Sequence, residues 1–327
     1  MKSKRLEIGE RFHTFMSKYN DEAKPLRKGK YSFIFVMLLL SIISWLVFYI
    51  YVNFSSVTMA FKEFVGYGED YKAIYKWGFG NFKKFWEEMS DTSTVYTQNF
   101  KYSLLNTLFF FIYGNMWSIP MQFLVSYFLY KKIPGEKAFK VFLYLPHIIS
   151  SIVITTIYKN IVAANGLLSS IVISFGGEPI DYLLTTPEWA KWTILIYNNW
   201  IGFAGAYIIL TAAMMRIPTE IIESAKLDGC GAWTEYWKLI VPMIWPTLQI
   251  IIIEKATGIL SADGPILFLT EGKFNTSTIG YWFYSQVFLS HSFEYPSAIG
   301  LMMTLFVAPI AILTRKLTDR VFADVEY

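Results

Sequence analysis

The sequence predicts an all-α membrane protein with six transmembrane helices. Hydrophobic residues fill 54% of the 327 positions and aromatics 19%, too apolar for an ordinary water-soluble domain. The apolar residues gather in blocks of about twenty, the length a helix needs to cross ~30 Å of hydrocarbon. The basic residues flank those blocks, so the net charge of +4 sets orientation in a membrane and implies no nucleic-acid partner.

In chain order, a basic leader at 1–30 precedes a first apolar helix at 31–52. That helix is too long for a signal peptide, its leader is long, and no small-residue cleavage site follows closely, so it reads as a retained span. A polar and aromatic external segment, 53–101, follows; the signals there are weak and suggest a small cap of short helices. The core, 102–315, holds the remaining spans at about 103–130, 139–161, 192–215, 241–262 and 297–313, and a tail occupies 316–327. Prolines stand near the starts of the third and fifth spans, Pro146 and Pro242 with Pro246. Proline is tolerated in a first turn and kinks a helix further in.

Orientation follows from lysine and arginine. The leader, the loops after the second and fourth spans, and the tail hold nineteen of the 29 basic residues. The opposite loops carry acids, among them Glu178, Asp181, Glu188, Asp263, Glu271 and Glu294. Both termini are therefore expected on the cytoplasmic side. One cysteine, Cys230, makes no internal disulfide, and His13, His147 and His291 lie too far apart in sequence to suggest a metal site. No nucleophile–base pair or phosphate loop appears, so no catalytic residue is expected.

The most informative stretch is the loop 216–242. Pro218 can open a helix, and Glu220 suits its positive end. Ile221, Ile222 and Ala225 share one face. Asp228-Gly229 ends the run, because glycine readily takes the positive φ that closes a helix. Trp233, Tyr236, Trp237 and Ile240 then recur at helical spacing. Two short amphipathic helices with a glycine elbow are predicted, too apolar on one face to stand free in water.

This loop resembles the EAA loop of ABC importer permeases. Glu223-Ser224-Ala225 stands for Glu-Ala-Ala, Asp228-Gly229 for the Asp-Gly pair, Tyr236 for the aromatic position and Val241-Pro242 for the aliphatic-Pro position. Ser224 and Cys230 replace alanines with small residues. Leu105-Asn106-Thr107, Ile133-Pro134-Gly135 with Phe139 and Leu145-Pro146, and Asn165-Gly166-Leu167 extend the likeness over most of the chain, toward the maltose-type and glycerol-phosphate-type sugar permeases. Glu271-Gly272-Lys273-Phe274-Asn275 departs from the Gly-Gly-Pro stretch that the family often has there.

The resemblance implies the type I ABC importer permease fold, with the elbow as a coupling helix docked on a cytoplasmic ATPase. Pro218, Glu220, Glu223, Ser224, Ala225, Asp228, Gly229, Tyr236 and Pro242 would carry that contact. It implies a heterodimer with a second permease, two ATPase copies, an extracellular solute-binding protein and a sugar cargo, in a bacterial cytoplasmic membrane. This chain would bind no cofactor; ATP and Mg would sit on the ATPase.

Polar residues inside spans default to functional hypotheses. Glu254 and Lys255 fall mid-way along the fifth span, about 100° apart on the helix. Asn106, Asn115 and Gln122 on the second span, and Asn198, Asn199 and Trp200 on the fourth, are candidates to line a sugar path. Tyr197 and Tyr207 join them as aromatic faces on which a sugar can stack. The alternative for each is helix packing. Two other functions fit less of the sequence: an ion-coupled secondary transporter using Glu254, Lys255 and Asp263, which leaves the loop unexplained, and an ABC permease for a non-sugar cargo.

Overall fold

A computed structural model describes residues 28–90, 99–261 and 265–321. Most of the expected leader, the tail beyond 321 and Asp263 lie outside the described residues. The chain divides into two compact units between Thr58 and Met59.

The first unit is built on α1 (Lys28–Trp45), which passes through a π-helical turn, Leu46–Tyr51, into α2 (Val52–Ala60). Apolar residues occupy every side of α1, as a helix surrounded by lipid requires. The helical run continues to Ala60 rather than ending at Val52, because nothing between Asn53 and Ala60 breaks it.

The second unit starts with a correction to the expected helical cap. β1 (Lys62–Tyr67) and β2 (Ala73–Trp77) form an antiparallel hairpin with an irregular register between Phe64 and Gly66, followed by α3 (Gly80–Ser90). Aromatic and β-branched residues favour strands, and this segment has no apolar run at helical spacing. Glu63 accepts a hydrogen bond from the Gly80 amide at 2.5 Å, which ties the hairpin to the start of α3.

The bundle comprises α4 (Phe100–Tyr130), α5 (Glu136–Ile148), α6 (Ser151–Val162), α7 (Leu167–Ser174) and α8 (Pro187–Met214). The elbow helices follow: α9 (Thr219–Leu227), α10 (Ala232–Thr234) continued by a π-helical turn Glu235–Ile240, and α11 (Val241–Met243). Then come α12 (Trp245–Thr257), α13 (Ile266–Leu269), α14 (Ile279–Tyr284) and α15 (Glu294–Thr318). α4 packs along α8, α12 along α15, and α8 also meets α5 and α12. Among the described residues, five helical stretches are long and apolar enough to span a membrane, and six if the bent pair Ala232–Met243 and Trp245–Thr257 counts as one. This is a multi-pass membrane protein.

Two further spans differ from the sequence expectation. The third is interrupted: α5 ends at Ile148, Ile149 is extended, and the apolar membrane-length stretch is Ser151–Ser174. Pro146 removes one helical N–H near the end of α5, and Ser150 takes the extended backbone of a helix cap. The fifth bends by 75° at Ile244. Pro246, in the first turn of α12, lacks the amide that would have continued the preceding helix through that point.

One stitch ties the start of α4 to the loop after α13. Ser103 on α4 hydrogen-bonds the Ser277 hydroxyl at 2.9 Å, and Asn106 donates to the Ser277 carbonyl at 2.8 Å. The Ile279 amide donates to the Thr107 hydroxyl at 2.8 Å. These contacts hold a loop in which Glu271, Gly272, Phe274 and Asn275 all have positive φ, a conformation costly for non-glycine residues. Gly272 is needed twice over. Its φ is +68°, and a Cβ would meet the Tyr281 ring at 2.3 Å. Gly272→Ala is expected to lower stability by about 1–3 kcal/mol, read as a lower thermal midpoint in detergent, while Gly258→Ala, with open space around it, leaves the midpoint within error.

Candidate functional site

The elbow is closed by backbone chemistry. α9 ends at Leu227, and Gly229 takes φ +79°. The Cys230 amide donates to the Ala225 carbonyl at 2.9 Å and the Gly229 amide to Lys226 at 3.0 Å. This is a Schellman closure, in which the left-handed residue satisfies the last carbonyls of the helix. Pro218 precedes the helix as its cap residue, with Thr219 first and Glu220 second.

The elbow presents one face outward and roots the other. Glu220, Glu223, Ser224, Asp228 and Gly229 are exposed, Ala225 and Pro242 are half-buried, and Tyr236 is buried. Leu227 is 90% exposed, and Trp233 and Trp237 are 64% and 55% exposed. Tyr236 and Ile240 point into the core instead of sharing a face with the two tryptophans. The π-helical turn Glu235–Ile240 accounts for this correction. At roughly 4.4 residues per turn, residues 233 and 237 fall on one side and 236 and 240 on the other.

Tyr236 is the root. Its ring lies 4.7 Å from Phe123 and 5.0 Å from Tyr127, both on α4, centroid to centroid. Around them Leu210 and Met214 of α8, Ile222 of α9, and Leu248 and Ile251 of α12 complete one buried cluster. The Tyr127 hydroxyl donates to the Ala232 carbonyl at 3.2 Å. Glu235, 3% exposed, pairs with Lys131 at the end of α4.

A cavity of about 570 Å³ lies further along the same helices. Asn115, Ser118 and Gln122 of α4 face it, as do Tyr197, Asn198 and Asn199 of α8 and Glu254 and Lys255 of α12. The structure thus brings together most of the polar residues singled out from the sequence. It places three elsewhere. Asn106 is 3% exposed and spends its amide on the loop stitch. Tyr207 is buried among Leu129, Val125 and Leu143. Trp200 lines a separate, apolar cavity with Tyr113, Trp117 and Trp192. The cause is helical rotation: on a helix buried on several sides, each aromatic meets a different neighbour.

Several amides around the cavity spend their donors on backbone carbonyls. The Asn115 amide donates to the Phe111 carbonyl at 2.8 Å and Asn199 to Leu195 at 3.0 Å. The amide nitrogen of Gln122 donates to the Gly202 carbonyl at 2.9 Å, while its oxygen has no partner within the chain. Thr155 shares a 2.6 Å hydrogen bond with the Tyr197 hydroxyl. Glu254 is exposed to the cavity and Lys255 half-buried, with no ion pair between them. Such a lining of amides and hydroxyls with one carboxylate and one ammonium offers a polar ligand both donors and acceptors. Ser118 and Thr155 were not singled out from the sequence. The spacing of Asn115, Ser118 and Gln122 at i, i+3 and i+7 would have pointed to Ser118. Among the described residues no group of three or more His, Cys, Asp or Glu is placed to hold a metal ion.

No protein-family model matches the chain. It is 28% identical over 244 residues to the lactose transport system permease protein of Rhizobium radiobacter, covering 72% of this chain and 78% of that one. It is 30% identical over 181 residues to the alpha-glucoside transport system permease protein of Rhizobium meliloti, covering 53% of this chain and 54% of that one. The multiple sugar-binding transport system permease protein of Streptococcus mutans is 25% identical over 205 residues, covering 62% of this chain and 70% of that one. Among solved structures, a bacterial ABC transporter that imports the acidic polysaccharide alginate superposes with a TM-score of 0.75 at 22% identity, over 90% of this chain and 97% of its own. A second structure, of a bacterial alginate ABC transporter in complex with an alginate pentasaccharide-bound periplasmic protein, gives 0.75 at 21% identity, over 93% of this chain and 100% of its own. At that identity these two matches establish the fold.

Two substitutions test the elbow as a structure. Gly229→Val forces a β-branched residue to positive φ and is expected to expose the loop 227–232 to protease at least fivefold faster in detergent. Gly231→Ala, at φ −75° with open space, leaves cleavage unchanged. Lys131→Met, which leaves the buried Glu235 carboxylate unpaired, is expected to lower the thermal midpoint, and Lys131→Arg to restore most of it.

Proposed function

We infer that this chain, which belongs to the permease family of ATP-binding-cassette sugar importers, forms with a second, similar permease the path by which a sugar crosses the membrane. The cargo is a sugar, with an oligosaccharide favoured by the likeness to lactose and alginate transport systems. An extracellular binding protein delivers it. Two copies of a separate cytoplasmic ATPase dock on the elbow and bind the ATP and Mg; this chain binds no cofactor. The chain lies in the bacterial cytoplasmic membrane with both termini on the cytoplasmic side.

One observation supports this reading above the others. The helices that root the elbow are those that line the cavity. Phe123 roots the elbow and its neighbour Gln122 faces the cavity, both on α4. Ile251 and Glu254, less than one turn apart, do the same on α12. On α8, Leu210 and Tyr197 stand about 20 Å apart along a continuous helix. Packed side chains transmit displacement because they do not compress. Closure of two ATPases against the elbows therefore tilts the helices that surround the cargo. ATP drives this only as far as the ATPases bind the two elbow positions with different affinity. Gly229 lets the elbow turn tightly, and Glu223, exposed on α9, is placed for a basic group on the ATPase. The exposed Leu227, Trp233 and Trp237 supply the apolar contact.

Co-purification from the native membrane tests the docking. An ATPase subunit is expected to travel with the wild-type chain and to fall at least tenfold in a Glu223→Lys/Gly229→Val double variant that still inserts. If no ATPase travels under gentle extraction, an ion-coupled transporter using Glu254 and Lys255 takes the place of this reading. Glu254→Gln is expected to change uptake at least threefold with the complex intact; unchanged uptake assigns Glu254 to packing.

A further inference from the structure

The end of the bundle that carries the elbow holds a second polar cavity of about 410 Å³. It lies among the last turns of α4 and α8, the start of α5 and α9. Four lysines line it, Lys131, Lys132, Lys140 and Lys226, against two carboxylates, Glu136 and Glu223. Two of the lysines have partners. Lys140 lies 2.5 Å from Glu136, whose carboxyl it holds below the usual range, and Lys131 pairs with Glu235. Among the described residues Lys132 and Lys226 make no ion pair, although Lys132 lies close enough to help hold the Glu136 carboxyl down. Lys132 is also held at φ +54°, a backbone conformation uncommon outside glycine.

A second observation points to a ligand. Thr211 lines this cavity, is 8% exposed, and its hydroxyl has no hydrogen-bond partner within the chain. Helical threonines elsewhere in this chain satisfy themselves on the carbonyl four residues back, as Thr155, Thr193 and Thr304 do. Thr211 does not, so a buried donor is left for something else. The nine-residue α9 opens at Thr219 on the same wall, without a side-chain cap, and the start of a helix favours an anion.

We propose that this cavity binds a phosphate group carried on a small polar head, held by Lys132 and Lys226 with the Thr211 hydroxyl donating to a phosphate oxygen. The volume falls within the range of small-molecule sites and exceeds what a bare phosphate needs. The cavity stands at the ends of two membrane-length helices, the level at which basic pockets meet anionic lipid headgroups; a soluble phosphate ester offers the same chemistry. Either ligand would tie α9 to α4, α5 and α8 and so restrain the elbow. Binding here does not depend on which cargo the chain carries.

Native mass spectrometry of the full chain in neutral detergent tests this, with phosphatidylglycerol, phosphatidylcholine as the uncharged reference, and sn-glycerol 3-phosphate as the soluble probe. Phosphatidylglycerol is expected to be retained at least fivefold over phosphatidylcholine. The Lys132→Gln/Lys226→Gln variant brings that ratio near one, and Thr211→Val, which keeps shape and loses the hydroxyl, lowers it about threefold. Lys72→Gln/Lys76→Gln on the hairpin, an equal loss of charge, leaves it unchanged. If only sn-glycerol 3-phosphate binds, and is lost from the same variants, the source is soluble. The site is refuted if neither probe exceeds the reference, if the cavity variants keep the preference, or if the hairpin control loses it equally.

Discussion

The elbow has to be both exposed and rigidly joined to the bundle, and the junction that reconciles the two demands is the packing of Tyr236 against Phe123 and Tyr127. A two-helix projection with Leu227, Trp233 and Trp237 outside has few contacts of its own. Its position is set by whatever its inner face touches. Aromatic rings at 4.7–5.0 Å supply a large buried area with few rotatable bonds, and the aliphatic side chains of α8, α9 and α12 close around them. The π-helical turn is the local device that makes this possible. It turns Tyr236 and Ile240 inward while leaving the tryptophans out.

The rest of the bundle is constrained by the rule that polar backbone cannot be left bare in hydrocarbon. At the bend before α12 the chain covers its own backbone, with Ile244 buried in the bundle, whereas Ile148 and Ser150 at the interruption before α6 are exposed. The loop after α13 carries four residues at positive φ and is held by hydroxyl and amide side chains at the start of α4. Hydroxyl groups recur in this role because a serine or threonine can serve its own helix and a neighbouring loop at once. Thr107 does both, donating to the Ser103 carbonyl and accepting from the Ile279 amide. Against that background, the oxygens of Gln122 and Thr211, each on a residue that lines a cavity, are among the few buried side-chain oxygens without a hydrogen-bond partner in the described chain.

The two cavities differ in charge, one mid-way along the bundle and the other at the end that carries the elbow. Amides and one unpaired Glu–Lys neighbour pair line the larger one, while lysines dominate the smaller one beside α9. A sugar and a phosphate are chemically distinct, so one helix bundle can hold both without competition. α4 and α8 line both cavities, and the elbow cluster lies between them on the same helices.

The class of structure was legible in the sequence, since apolar blocks of bilayer length leave a chain no alternative but to span. So was the elbow, because Asp228-Gly229 between two amphipathic stretches encodes a turn locally. The residues Asn115, Tyr197, Asn198, Asn199, Glu254 and Lys255 were legible as polar groups inside spans. Tertiary structure alone decided that they meet in one cavity and that Asn106, Trp200 and Tyr207 do not. It also decided the hairpin in place of a helical cap, the break before α6, the bend at Ile244, and the inward turn of Tyr236. The reason is physical. Hydropathy and glycine report on a residue's own backbone and solvent, whereas rotation about a helix axis, and the neighbour each face meets, are settled by packing between segments far apart in the chain.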